Sequence, residues 1–162
     1  MDNLEPTFKR LLEKVNALRE SGKYDLSMEE DLSIAVMNLI SLEEHFFFTG
    51  EKTGKPAYFD WLAEVRDMRK KLLANLTGDH HEGETWCISK HLLAATMRLI
   101  ETGTKLQKSG KKAEAQEVFG QAYKLYTLFW GVRLKLINTP KHSTGPTTYQ
   151  DIMSELVDCC KE

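Results

Sequence analysis

Cysteine is scarce in this chain: three residues in 162, two of them adjacent. That makes no disulfide framework, because neighbouring cysteines bridge only with strain, and the sequence predicts a reducing, cytoplasmic setting. Long apolar runs are missing as well. In the first half the longest stretch without a charge, Leu32 to Leu42, has 11 residues, whereas a membrane span needs roughly 20. Met1 to Glu20 is charged throughout, unlike a secretory signal. Charge of one sign is lacking too. A formal net charge of -2 disfavours general affinity for nucleic acid, which needs a cationic surface. No segment alternates apolar and polar residues with period two, so strands are not expected. Residues 1–162 are predicted to form a single helical domain, long enough to bury its own core.

What is present is helical periodicity. The first segment, about Glu5 to Glu20, sets Phe8, Leu11, Leu12, Val15 and Leu18 at helical spacing, with Pro6 in the first turn and Gly22 as the stop. A second helix is expected from Ser27-Met28-Glu29-Glu30, read as a capping box, to about Thr49. Leu32, Val36, Leu39 and Ile40 mark its central stripe, which Ile34, Ala35, Met37 and Leu42 widen. The stretch GEKTGKP, Gly50 to Pro56, reads as a loop. A third helix, about Pro56 to Leu76, is expected to bury Tyr58, Leu62, Val65, Met68, Leu72 and Leu76. A fourth runs from about Glu84 to Lys108 and a fifth, rich in aromatics, from about Lys111 to Ile137. Residues 138–147, with two prolines and a glycine, form a linker to a short amphipathic helix over 148–160. The predicted fold is all-α: an antiparallel helical bundle of about five long helices plus that C-terminal helix.

Counting from Thr96, small and aromatic residues fall on Gly103, Gly110, Ala115, Phe119 and Ala122. This hairpin, about residues 96–129, resembles a single tetratricopeptide unit, in which glycine and alanine let two helices approach and phenylalanine fills the groove. Thr127 stands where the repeat's consensus has proline, and no second copy appears. The resemblance implies peptide or protein binding.

Candidate chemistry centres on the fourth helix. Ile88, Leu92, Ala95 and Leu99 are expected to form its core line, with Cys87, His91, Ala94 and Arg98 beside it. Cys87 and His91, one turn apart, suit zinc as thiolate and imidazole. Glu43 falls on the apolar stripe of the second helix, where a carboxylate needs a partner. It is a candidate third ligand, with His45, Cys159 or Cys160 as others; the alternative is an ion pair of Glu43 with Arg98, Arg69 or His91. A di-iron site needs Glu-x-x-His, but Glu43 is followed three positions later by Phe46, and Glu84 by Cys87. Asp79-His80-His81-Glu82 is rich in ligands but reads as a solvated turn. Gly50–Lys55 misses the phosphate-loop spacing and has no preceding strand. Lys52, Lys55, Arg66, Arg69, Lys70 and Lys71, near Tyr58, Phe59 and Trp61, form a basic cluster.

Three functional expectations follow. The leading one is a non-enzymatic protein-interaction or self-association module, such as a homodimer. The second is a metal-binding or metal-dependent bundle using Glu43, Cys87 and His91 with zinc or iron. The third is a nucleic-acid accessory subunit. No catalytic residue is assigned.

Overall fold

The computed structural model of the chain describes residues 5–22, 25–78 and 84–137, with side chains from residue 13 onward. The chain folds into five helices, α1 (Glu5–Glu20), α2 (Leu26–Thr53), α3 (Ala57–Thr77), α4 (Glu84–Lys108) and α5 (Lys112–Arg133), packed as an all-α bundle. The expected linker over 138–147 and helix over 148–160 lie outside the described residues.

Two hairpins make the bundle. α2 packs on α3 and α4 on α5, while α4 also meets α2 and α3. Their shared core draws on all four helices: Val36 and Met37 from α2, Leu73 and Leu76 from α3, Trp86, Cys87 and Leu93 from α4, and Phe129 from α5. Across the seam Ser33 Oγ and Tyr126 Oη lie 2.7 Å apart, and Arg133 Nη2 donates to Glu29 Oε1 at 2.8 Å. Burial pushes the Glu29 carboxyl above its ordinary range, and the nearby Arg133 opposes that shift only in part.

Several boundaries differ from the sequence reading, each for a local reason. α2 starts at Leu26 because the Asp25 carboxylate accepts from the Ser27 and Met28 amides at 3.1 and 3.2 Å; the aspartate, not Ser27, is the cap. α2 also runs through Gly50 and stops only at Gly54, whose φ of 64° is left-handed and whose amide returns to the Gly50 carbonyl. Gly50 is an interior contact rather than a breaker: a Cβ there would sit 2.8 Å from the Phe59 ring of α3. α5 ends at Arg133, short of Ile137, because the Leu136 and Ile137 amides both turn back to the Gly131 carbonyl.

The helix faces shift as well. On α3, Met68 is exposed and Arg69 is buried in its place. On α4 the buried residues are Trp86, Cys87, Ser89, Leu93, Thr96 and Gly103, so the core line lies one position away from Ile88, Leu92, Ala95 and Leu99, which are half-buried. Contact with α5 demands small residues there. Thr96 meets that demand while its hydroxyl donates to the Leu92 carbonyl at 2.8 Å. The α5 aromatics divide: Phe129 is core, Tyr126 and Trp130 are half-buried, and Phe119 and Tyr123 are exposed.

Candidate functional site

Glu43 lies on α2 one turn beyond Ile40, on the stripe that carries Val36 into the core. It is buried, at 7% exposure. A carboxylate in that position is tolerated only with donors around it, and α3 supplies them. Arg69, at 1% exposure, donates Nε to Glu43 Oε1 at 2.8 Å and Nη2 to Oε2 at 3.3 Å. Arg66, one turn earlier on α3 and half-exposed, adds Nε to Oε2 at 3.0 Å. Residues 66 and 69 share a face at a spacing of three, so two guanidinium groups converge on one carboxylate. Charge-assisted hydrogen bonds of this kind are directional and fix the register of α3 on α2.

Above this cluster α2, α3 and α4 enclose a cleft of about 330 Å³. Ile40, Phe47, Leu62 and Ala94 give it apolar walls. Arg66, Arg69, Lys90 and His91 line it together with Glu43 and Glu44. Glu44 is offset by Arg98, whose Nη1 lies 3.4 Å away and whose Nη2 donates to Ser41 Oγ at 2.9 Å.

The structure thus brings Glu43 and His91 to one cleft but puts Cys87 elsewhere, in the core beside Trp86 and Leu93. His91 is exposed and His45 points its ring towards Phe46, with centroids 6.3 Å apart. Among the described residues no three histidine, cysteine, aspartate or glutamate side chains gather as a metal site. Cys159, Cys160 and Asp79-His80-His81-Glu82 lie outside those residues. Of the three ion-pair partners expected for Glu43, the structure selects Arg69. Arg66 was visible in the sequence only as part of a basic cluster; its i, i+3 relation to Arg69 was the available signal.

Phe47 of the cleft wall also belongs to the aromatic end of the α2–α3 hairpin. Phe46 packs on Tyr58 and Trp61 at centroid distances of 6.3 and 5.7 Å, and Tyr58 meets Trp61 edge-on at 5.4 Å. Phe47, at the cleft, contacts Phe48 at 5.2 Å. Much of this surface faces solvent: Phe47 is 46% exposed, Phe48 60% and Trp61 49%. The pattern reading assigned the aromatic surplus to α5, placed Tyr58 and Trp61 beside a basic cluster, and overlooked Phe46, Phe47 and Phe48, because a run of three phenylalanines has no helical period of its own.

No family model matches the chain, and no curated protein or solved structure is found to be similar to it. Among the described residues no helix is long and apolar enough to cross a membrane.

Proposed function

We propose that this chain is a protein-interaction module whose docking surface is the aromatic end of the α2–α3 hairpin and the adjoining cleft. The observation that carries this reading is the exposure of Phe47, Phe48 and Trp61 around one end of one hairpin. Single exposed apolar side chains are ordinary, but several exposed aromatics gathered at one end of a hairpin, beside polar groups, are the usual composition of an interface. Trp and Tyr supply much contact area at little conformational cost, which is why they dominate binding hot spots. Folding alone does not need these rings in water: the core closes through Val36, Leu73, Leu93 and Phe129. The tetratricopeptide-like pattern at Gly103 and Phe119 is compatible with this reading and lies on the other hairpin.

Photo-crosslinking tests it. A benzophenone amino acid at position 48 or 61, expressed in the native cell, is expected to give a discrete protein adduct. The same group at Leu128, an exposed apolar position on α5, is expected to give none. An adduct of twice the chain's mass would identify the partner as a second copy. Equal adducts from all three positions, or none from 48 and 61, would overturn the reading.

A further inference from the structure

Two arginines, Arg66 and Arg69, meet one carboxylate, Glu43, in the cleft, and Arg98 sits against Glu44 from outside. The two arginines differ in what they have left to offer. Arg69 is buried and gives Nε and Nη2 to Glu43. Arg66 gives Glu43 only its Nε. Its terminal nitrogens have no hydrogen-bond partner among the described residues, and its side chain is half in solvent. On the α4 wall the His91 ring is likewise exposed and without a hydrogen bond among the described residues.

Glu43 therefore acts on Arg66 as a brace. It holds the guanidinium at one edge, so ordering that long side chain is not a cost deferred to binding. The opposite edge remains a planar fork, the geometry that matches a carboxylate bidentately. Beside the fork Phe47 and Leu62 provide an apolar wall. The space is sized for one or two side chains.

We propose that the cleft receives an acidic side chain of a partner polypeptide, gripped by Arg66 across from His91, with a neighbouring apolar side chain of the partner against Phe47 and Leu62. This rests on the reading of the α2–α3 hairpin as a docking surface. Charge complementarity selects the partner class: a basic segment would be repelled by Arg66, an acidic one is attracted by its open edge.

The test is a titration of the full-length ¹⁵N-labelled chain with a blocked peptide alternating leucine and glutamate, followed by NMR. Two further peptides replace glutamate with lysine or with serine. The expected result is a saturable shift of the Arg66 Nε–Hε signal and of the Lys90–Ala94 amides with the glutamate peptide alone. Arg66→Gln, which leaves Glu43 its bonds to Arg69, is expected to lower the thermal transition while the chain stays folded, and to weaken that binding at least about tenfold. No response to the glutamate peptide, an equal response to the lysine or serine peptide, or full binding by Arg66→Gln would overturn the proposal. So would a steeply salt-dependent displacement of the peptide by an oligonucleotide, which would assign the cations to nucleic acid. Shifts at Phe48 and Trp61 without shifts in the cleft would remove the carboxylate grip but leave the docking surface standing. Silence in both places, with no cross-link from 48 or 61, would remove both.

Discussion

Between α4 and α5 the contact runs over Gly103, Ala115 and Ala122, all buried, and the Phe119 ring lies where a Cβ on residue 103 would sit, 2.5 Å away. Between α2 and α3 it runs over Glu43, Arg66 and Arg69. The first hairpin is closed by taking atoms away, so that two backbones approach and dispersion does the rest. The second is closed by putting charges in. Close packing of small residues has little directionality and little sensitivity to salt or pH. A buried ion cluster specifies register, but it costs desolvation, and it loses far more when one member is removed than it contributes as a set. It also leaves part of a guanidinium uncommitted, which close packing never does. The hairpin with the weaker claim to stability is thus the one with something to offer a ligand.

Breaking the ionic side of this contrast is expected to have the largest effect. Arg69→Met leaves the buried Glu43 with a single half-exposed partner and should cost about 3–5 kcal/mol in urea unfolding. Adding Glu43→Leu should recover most of the loss, because an apolar pair of similar volume replaces the charges. A loss of less than about 1 kcal/mol for the single change would mean that water reaches Glu43 and that the α2–α3 hairpin does not depend on its ion cluster.

On the apolar side, Gly103→Ala carries two opposed effects. Alanine favours the helix by about 1 kcal/mol, while its methyl meets the Phe119 ring, an overpacking that costs about 1–3 kcal/mol. A net loss is expected in the natural chain and a gain of about 1 kcal/mol in a Phe119→Ala background. A gain in both backgrounds would show that the exposed ring swings aside and does not define the approach.

The seam between the hairpins gives a smaller, pH-dependent effect. The Glu29 carboxyl titrates above its ordinary 4.5 because burial outweighs Arg133. The folded state therefore takes up this proton first as pH falls. Its contribution to stability is complete below the unfolded-state value and is lost as pH rises through the raised one. Relative to Glu29→Gln, the natural chain should be less stable at pH 7 than at about pH 4. A difference that is flat with pH, or of opposite slope, would put Arg133 rather than burial in control. Least affected should be the stability of Phe48→Ser, within about 0.5 kcal/mol, although it removes a ring from the proposed docking surface. A larger loss would make that ring structural.

The helices themselves were legible because apolar residues recur at 3.6-residue spacing over long segments, and the bounds of α1 and α4 agree with that pattern. Glu43 was legible as a misfit: a carboxylate on an apolar stripe announces a partner. Its partners were less so: Arg69 stood as one of three candidates and Arg66 only in a basic cluster, until α3 is rotated to face α2. That same rotation explains why Met68 is exposed. Gly50 was misread because a glycine required by a crossing ring and a glycine that ends a helix look alike in sequence. On α4 the core line was displaced because Ser89, Thr96 and Gly103 are small before they are polar, and a hydrophobicity pattern does not register smallness.

The Ser33–Tyr126 contact joins positions 93 residues apart, and Glu29–Arg133 positions 104 apart, whereas the main packing within each hairpin joins helices consecutive in the chain. In folding time this separates two kinds of event. Each hairpin closes over a short connection and needs little search, but the seam waits for loops of about a hundred residues to close, at a higher entropic cost. Opening reverses the order. The seam between the beginning of α2 and the end of α5 parts first, with both hairpins still formed, so hydrogen exchange along it is expected to outpace exchange at Leu73 and Leu93.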